Sequence, residues 1–208
     1  RVVNGRSLTP TLDGLAARGV VFDRAYTQAP HSSYSLSSLH TGEYLHETVP
    51  LGQPQPLATL ASAMRADGRL TAALYTRGIF FTEGERLYPY RDTDFGFARS
   101  AHVDRDADAQ TEAATRELDD IVRRGEPPSF LWVHYFDAHA PYQGRGATAE
   151  AQYDDAVARI DRALGRLFEH ARRTLARDAV IAVTADHGEE FGEHGGVYHG
   201  SALYDEQV

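Results

Sequence analysis

Residues 179–185 read "AVIAVTA" and residues 129–136 read "SFLWVHYF". Runs this apolar and this short suit strands covered on both sides, and such strands belong to parallel sheets with helices on both faces. Helical patterns do fall between the strand-like runs. "TPTLDGLAARG" offers Thr9 as N-cap, Pro10 at the first helical position and Gly19 as a stop, with Leu12, Leu15 and Ala16 on its apolar face. The strand-like "VVFDRAY" (20–26) follows it. "LATLASAMRADG" (57–68) reads as a helix before the strand "LTAALYT" (70–76). The polar, Asp-rich stretch 102–124 reads as a solvated helix running into "RRGEPP". Residues 149–173 put Tyr153, Val157, Ile160, Leu164 and Leu167 on one helix face. This alternation predicts an α/β fold with a largely parallel central sheet between helix layers. Ligands then collect at the carboxyl ends of the strands, where "DAHAPY" and "DHGEE" stand.

The bulk composition narrows the chemistry. The 208 residues predict a single domain, and 42% hydrophobic with 25% charged residues suits a globular chain with a real core. No apolar run approaches the ~18 residues that span a bilayer, and no signal-peptide pattern opens the chain. A formal charge of -9 argues against nucleic acid as a partner. An acidic chain can still bind an anionic substrate where a metal supplies positive charge. There is no cysteine, and all 21 basic residues are arginine. Thiolate ligands, a thiol nucleophile, a Schiff base and a P-loop lysine are thereby excluded. The chain starts at Arg1 without an initiator methionine and ends at "LYDEQV" without a Gly or Pro stop, so it reads as a fragment of a longer protein.

Three groups of residues can carry chemistry. Asp186 and His187 directly follow the run 179–185, where a fixed backbone suits metal ligands offering one oxygen and one nitrogen. Taken alone, the dipeptide is better read as a strand-ending Asp that caps the next turn, with a solvated His beside it. His199 can return to the same place through the glycines of "EHGGVYHG", while His194 and the neighbouring glutamates fit a loop-shaping, solvated role. His139, flanked by Ala138, Ala140 and Pro141, can donate a hydrogen bond to an anionic substrate oxygen, or be an exposed loop histidine. His134, inside the apolar run, reads as a satisfied core residue. Residues 29–44, "APHSSYSLSSLHTGEY", hold a short serine-capped helix. A hydroxyl at a helix N-terminus lies in a positive field, although a plain capping turn explains the serines as simply.

Taken in order, "TPTLDGLAARGVVFDRAYTQAP", "SSYSLSSLHTG", "FLWVHYFDAHAPY", "YDDAVARIDRALGRL" and "VTADHGEEFGEHG" resemble the sulfatase branch of the alkaline phosphatase superfamily. The resemblance runs over essentially the whole chain. It implies one sulfatase-like catalytic domain over 1–208, incomplete at both ends, with acidic metal ligands lying before Arg1. It places Ser32 where sulfatases carry the Cys or Ser oxidised to formylglycine. Asp186 and His187 match the family's metal pair, His139 a substrate-contacting histidine, and His199 a late histidine near the transferred group. By this resemblance Ser32, His139 and His199 are catalytic, His139, His199 and Arg77 bind substrate, and Asp186, His187 and Ser32 hold a divalent metal.

The departures point to a neighbouring branch. Ser32 is followed by Ser33, Tyr34, Ser35 and Leu36, without the Pro and Arg of the sulfatase nucleophile motif. The sulfate-binding lysine stretch is replaced by "LYTRGIFF", where Arg77 is a neighbouring substitute. Lipoteichoic acid synthases and phosphoethanolamine transferases share the fold and use an unmodified Thr bound to Mn or Zn. The resemblance thus implies a hydrolase of sulfate esters, with calcium and formylglycine if it is a true sulfatase. It also allows a phosphoryl transferase with unmodified Ser32 and Mn or Zn, or a non-catalytic module. Substrates would be small-molecule, glycan or lipid-linked sulfate or phosphate esters, met outside the cytoplasm. A nucleic-acid phosphodiesterase is disfavoured by the acidic balance.

Overall fold

A computed structural model of the chain describes residues 2–3, 5–48, 58–80, 87–104, 106–125, 129–175 and 179–208. In chain order the elements are β1 (Val2–Val3), β2 (Arg6–Ser7), α1 (Pro10–Ala16), α2 (Ser32–Thr41), α3 (Leu45–Thr48), α4 (Leu60–Ala66) and β3 (Leu70–Tyr75). They continue with α5 (Tyr88–Asp92), β4 (Arg99–His102), α6 (Ala107–Arg124), β5 (Ser129–Val133) and α7 (Ala149–Thr174). The expected position Leu57, the stretch 126–128 of "RRGEPP" and Phe81 of "LYTRGIFF" lie outside the described residues.

The sheet β4-β3-β5 is parallel throughout, with Ala72 opposite Arg99 on one side and Leu131 on the other. Successive side chains of β3 point to opposite faces. Ala73 and Tyr75 join Leu36 of α2, Ala61 of α4 and an aromatic group that includes Phe80, Phe95 and Phe136. Leu74 joins Ala113, Ala114 and Leu118 of α6 and Leu167 of α7. A middle strand buried on both faces has no place for a polar alternation, which is why "LTAALY" is apolar. The α/β sandwich expected from the alternation is therefore present.

Helix ends are secured from a distance as well as locally. Asp106 caps α6 by accepting the N–H groups of Asp108 and Ala109, and Gly125 closes it at φ 62°. Thr148 caps α7 through Ala151 N–H. Thr9 makes no side-chain cap for α1. Instead the buried Asp161 of α7 accepts the N–H groups of Thr11 and Leu12, both at 3.0 Å. The stretch 102–124 is also less solvated than its composition suggests. Its helix buries Gln110, Thr111, Ala114 and Leu118 against the sheet and α7, and the Gln110 amide donates to the Leu74 and His134 carbonyls.

Two expected strands do not form. Residues 20–26 and 179–185 have no ladder partner among the described residues, and their apolar side chains face outward, with Phe22 79% and Val180 99% exposed. Alternation or apolarity fixes only which side chains a strand would prefer to bury. The strand itself needs a neighbouring backbone to accept and donate its hydrogen bonds. The two segments nevertheless leave toward one point. Thr27 Oγ1 and the Asp186 carbonyl each lie 2.5 Å from Ser35 Oγ, so α2 ties the two segment ends together.

Helix α2 also differs from expectation at its start. Its N-cap is the extended His31, not a serine, and Ser32 is the first helical residue. At its far end His40 is buried among Phe95, Phe97 and Trp132, at ring separations of 4.7, 5.7 and 4.5 Å. Burial, with a lesser contribution from His134, pushes its pKa down to about 3. The unfolded chain therefore takes up a proton near pH 6.5 that the folded chain refuses until about 3. Stability is full above pH 6.5 and is lost as pH falls, by up to about 1.4 kcal/mol per unit. In urea denaturation at pH 7 and pH 5, His40→Leu is expected to remove most of that loss. An unchanged slope would assign the acid sensitivity elsewhere.

Candidate metal and ester site

The carboxyl end of the sheet and the N-terminus of α2 meet at a cluster of imidazoles. Ser32 is buried at the positive end of α2. Its hydroxyl has two acceptors within reach, His187 Nε2 at 3.0 Å and the Asp186 carboxyl. His187 Nε2 is 3.6 Å from Asp186 Oδ2, and that buried oxygen has no hydrogen-bond partner among the described residues. Burial works against the charge on Asp186, but His134, His187 and the Ser32 hydroxyl outweigh it and hold the carboxyl below its ordinary range.

The histidine tautomers follow from their partners. His187 Nδ1 faces the Gly188 carbonyl at 2.8 Å, and His139 Nδ1 faces the Ala140 carbonyl at 2.6 Å. His199 Nδ1 faces the Glu189 carboxylate at 2.9 Å. An acceptor opposite Nδ1 requires Nδ1 to donate, so each ring presents Nε2 to the site. The rings themselves are close, His187 to His199 at 4.1 Å and His139 to His199 at 5.0 Å. The loop after β5 and the turn after residue 185 thus converge as expected, although only one of the two follows a formed strand.

Several participants were not singled out from the sequence. His31 lies within electrostatic reach of His199, His187 and His139, and its pKa is lowered by burial first and by those rings next. Glu189, expected only to shape the loop, instead orients His199 and also bonds Tyr142, whose phenol is pushed up by burial and by that carboxylate. Its signal was available only as proximity in sequence to His187. His134 is packed against Trp132 and Phe136 as a core residue would be, yet it also faces Asp186. Burial holds its pKa down.

Other candidates have different partners. Arg77 follows β3 in a short 3-10 turn, Arg77–Phe80, and its guanidinium pairs with Asp94 at 3.4 Å, an acceptor shared with Ser100 and His102. His194 is exposed but not without partners. It stacks on Tyr204 at 3.7 Å and bonds Glu206 at 2.5 Å. Glu190, His194 and Glu206 offer ligand atoms within 4.8 Å of one another. However, the Glu190 carboxylate already accepts from His194 N, Gly196 N and Gln207 Nε2, so this group serves to lock the glycine loop.

The fold is that of the alkaline phosphatase superfamily. A protein of that superfamily from Vibrio parahaemolyticus is 21% identical, with a TM-score of 0.64 over 80% of this chain and 45% of its own. The lipoteichoic acid synthase LtaP from Listeria monocytogenes is 18% identical, with a TM-score of 0.62 over 83% of this chain and 48% of its own. The C-terminal periplasmic domain of EcEptC from Escherichia coli, solved in complex with Zn, is 17% identical, with a TM-score of 0.57 over 81% and 54%. The chain spans about half the length of these structures. No curated protein matches it. The chain belongs to the Sulfatase family, whose model it matches over residues 3–208.

Proposed function

We propose that residues 1–208 belong to one catalytic domain that transfers a phosphoryl or sulfuryl group from an ester through direct attack by unmodified Ser32. The observation that carries this reading is the unpartnered, buried Asp186 Oδ2 facing the same point as His187 Nε2 and Ser32 Oγ. A buried carboxylate oxygen without a donor is costly unless a cation completes it, so these three atoms fit a divalent metal. Nitrogen and oxygen together suit Mn or Zn better than calcium. A cation held by Asp186, His187 and Ser32 would favour the ionised hydroxyl and offset the negative charge of the ester.

The chain's own residues supply the rest. The Ser32 hydroxyl gives up its proton to solvent water, and its oxygen forms a bond to phosphorus or sulphur while the bond to the leaving oxygen breaks. His139 Nε2, when protonated, donates to a non-bridging oxygen. His199, when protonated on both ring nitrogens, gives its Nε2 proton to the leaving oxygen, and Glu189 keeps the ring turned for that transfer. Water or a second hydroxyl then releases the group from Ser32. An extracytoplasmic setting and a glycan or lipid-linked ester agree with the periplasmic and lipoteichoic acid relatives.

Family membership favours a second reading, hydrolysis of sulfate esters by Ser32 as formylglycine with calcium. Against it, Tyr34 and Leu36 stand where the modification motif has Pro and Arg. A non-catalytic module leaves the gathered imidazoles without a purpose. Steady-state assays of the full-length, Mn- or Zn-loaded protein on para-nitrophenyl phosphate and para-nitrophenyl sulfate separate the three. Phosphate turnover that chelation abolishes and metal restores is expected. Turnover of sulfate alone would support the second reading, and turnover of neither by metal-loaded protein would end the enzymatic one.

A further inference from the structure

One buried residue joins the chain around His187 to the chain around His199. Gln207 is fully buried, and Glu190 is buried beside it. The Gln207 amide donates to Glu190 Oε2 at 2.7 Å, and its side-chain oxygen accepts from Ala202 N at 3.4 Å. The Gln207 backbone carbonyl accepts the Gly188 N–H at 3.0 Å. The approach is so close that a Cβ on Gly188 would collide with the Glu206 carbonyl. Residues 206–207 thus lie directly against the residue that follows His187.

Glu190 carries the connection onward. Its Oε1 accepts from Gly196 N at 2.7 Å and from His194 N at 3.0 Å, which closes the glycine loop. Burial works against its charge, but these two N–H groups and the Gln207 amide hold the carboxyl below its ordinary range. The Glu190 backbone exchanges two hydrogen bonds with Tyr198, at 2.9 and 3.0 Å. This antiparallel bridge is flanked by Glu189 on one side and His199 on the other, the pair whose carboxylate and ring meet at 2.9 Å. Tyr198 sits at φ 72°, a left-handed conformation that bulky residues rarely adopt. Such a conformation persists where its surroundings over-determine it, as the bridge to Glu190 does here.

We propose that Gln207 is a positioning residue for leaving-group protonation, fixing through Glu190 the bridge that sets His199 against Glu189. This rests on the ester-transfer reading, in which His199 gives its proton to the leaving oxygen. The two halves of Gln207 act on different parts of the site. Its side chain reaches His199 by way of Glu190 and Tyr198. Its backbone carbonyl steadies the turn after His187, and a side-chain substitution leaves that carbonyl in place. Changing the side chain therefore impairs proton donation and spares the metal pair. A displaced proton donor slows the departure of a poor leaving group far more than that of a good one, which leaves without a proton.

The test compares full-length, Mn- or Zn-loaded wild type with Gln207→Glu on two esters, or on the corresponding sulfates if the wild type cleaves those. Para-nitrophenyl phosphate has a leaving group that needs no proton, and phenyl phosphate has one that does. The substitution removes the donor to Glu190 Oε2 and sets carboxylate against carboxylate. The expected result is a kcat at least tenfold lower on phenyl phosphate and less than threefold lower on para-nitrophenyl phosphate, with metal affinity within threefold of wild type. Adding Glu190→Gln to Gln207→Glu exchanges amide and carboxylate and keeps every hydrogen bond of the pair, so phenyl phosphate turnover should return to within threefold of wild type. In metal-free protein, amide exchange at Tyr198 should quicken in the single variant and stay unchanged at Gly188. Equal losses on both esters, no loss on phenyl phosphate, a double variant as slow as the single, or unchanged exchange at Tyr198 would overturn the proposal. Such a result in a wild type that cleaves esters removes only the role of Gln207. A wild type that cleaves neither ends the ester-transfer reading and this proposal with it.

Discussion

Ser32→Ala in the full-length protein is expected to leave a folded protein whose kcat is lower by about 10⁴-fold or more, the scale of losing a nucleophile that acts as a unit with its neighbours. The hydroxyl is buried at the first position of α2, 3.0 Å from His187 Nε2, and the methyl of alanine fills nearly the same space. Folding should therefore be spared. The near-ultraviolet circular dichroism and Tm report on folding, and a phosphate or sulfate ester assay reports on turnover. Retained activity would mean that another hydroxyl attacks. Ser33 and Ser35 are the nearest rivals in sequence, but Ser33 Oγ bonds His31 Nδ1 and Ser35 Oγ is engaged with the Asp186 carbonyl and Thr27.

Asp186→Asn should abolish stoichiometric binding of Mn or Zn, weakening affinity by more than about a hundredfold, since even residues behind a ligand contribute 10- to 100-fold. Asparagine keeps the shape and loses the charge. Wild-type protein should also gain about 2.7 kcal/mol of stability at a metal concentration of 100 times Kd, and the variant should not. Metal analysis after gel filtration and a melting series with and without chelator read both effects. A variant that retains one equivalent of metal would displace the site from Asp186.

Much of this site was legible in the sequence because its residues stand at element ends. Ser32 opens a helix and His139 follows β5, so short motifs kept their meaning in three dimensions. What could not be read depended on distant chain. Residues 179–185 carry the side chains of a buried strand, but a strand is a relation between two backbones, and none pairs with them among the described residues. Glu189 looked like one acidic residue among four, and only the return of the chain at Tyr198 places its carboxylate against His199. His31 gained its place from the fold of α2 onto the turn at Asp186, a contact 151 residues apart that no local pattern records. Asp161 is similar, a helix-face carboxylate that caps another helix 149 residues away.

The central claim is that Ser32 itself carries the transferred group. Its most direct test is the mass of the Ser32 peptide from metal-loaded full-length protein, at rest and after acid quench during turnover of a para-nitrophenyl ester. The account predicts an unmodified serine at rest and a fraction bearing one phosphoryl or sulfuryl group after quench. A resting peptide lighter by two hydrogens, the signature of formylglycine, or a serine that stays unmodified throughout turnover would contradict it.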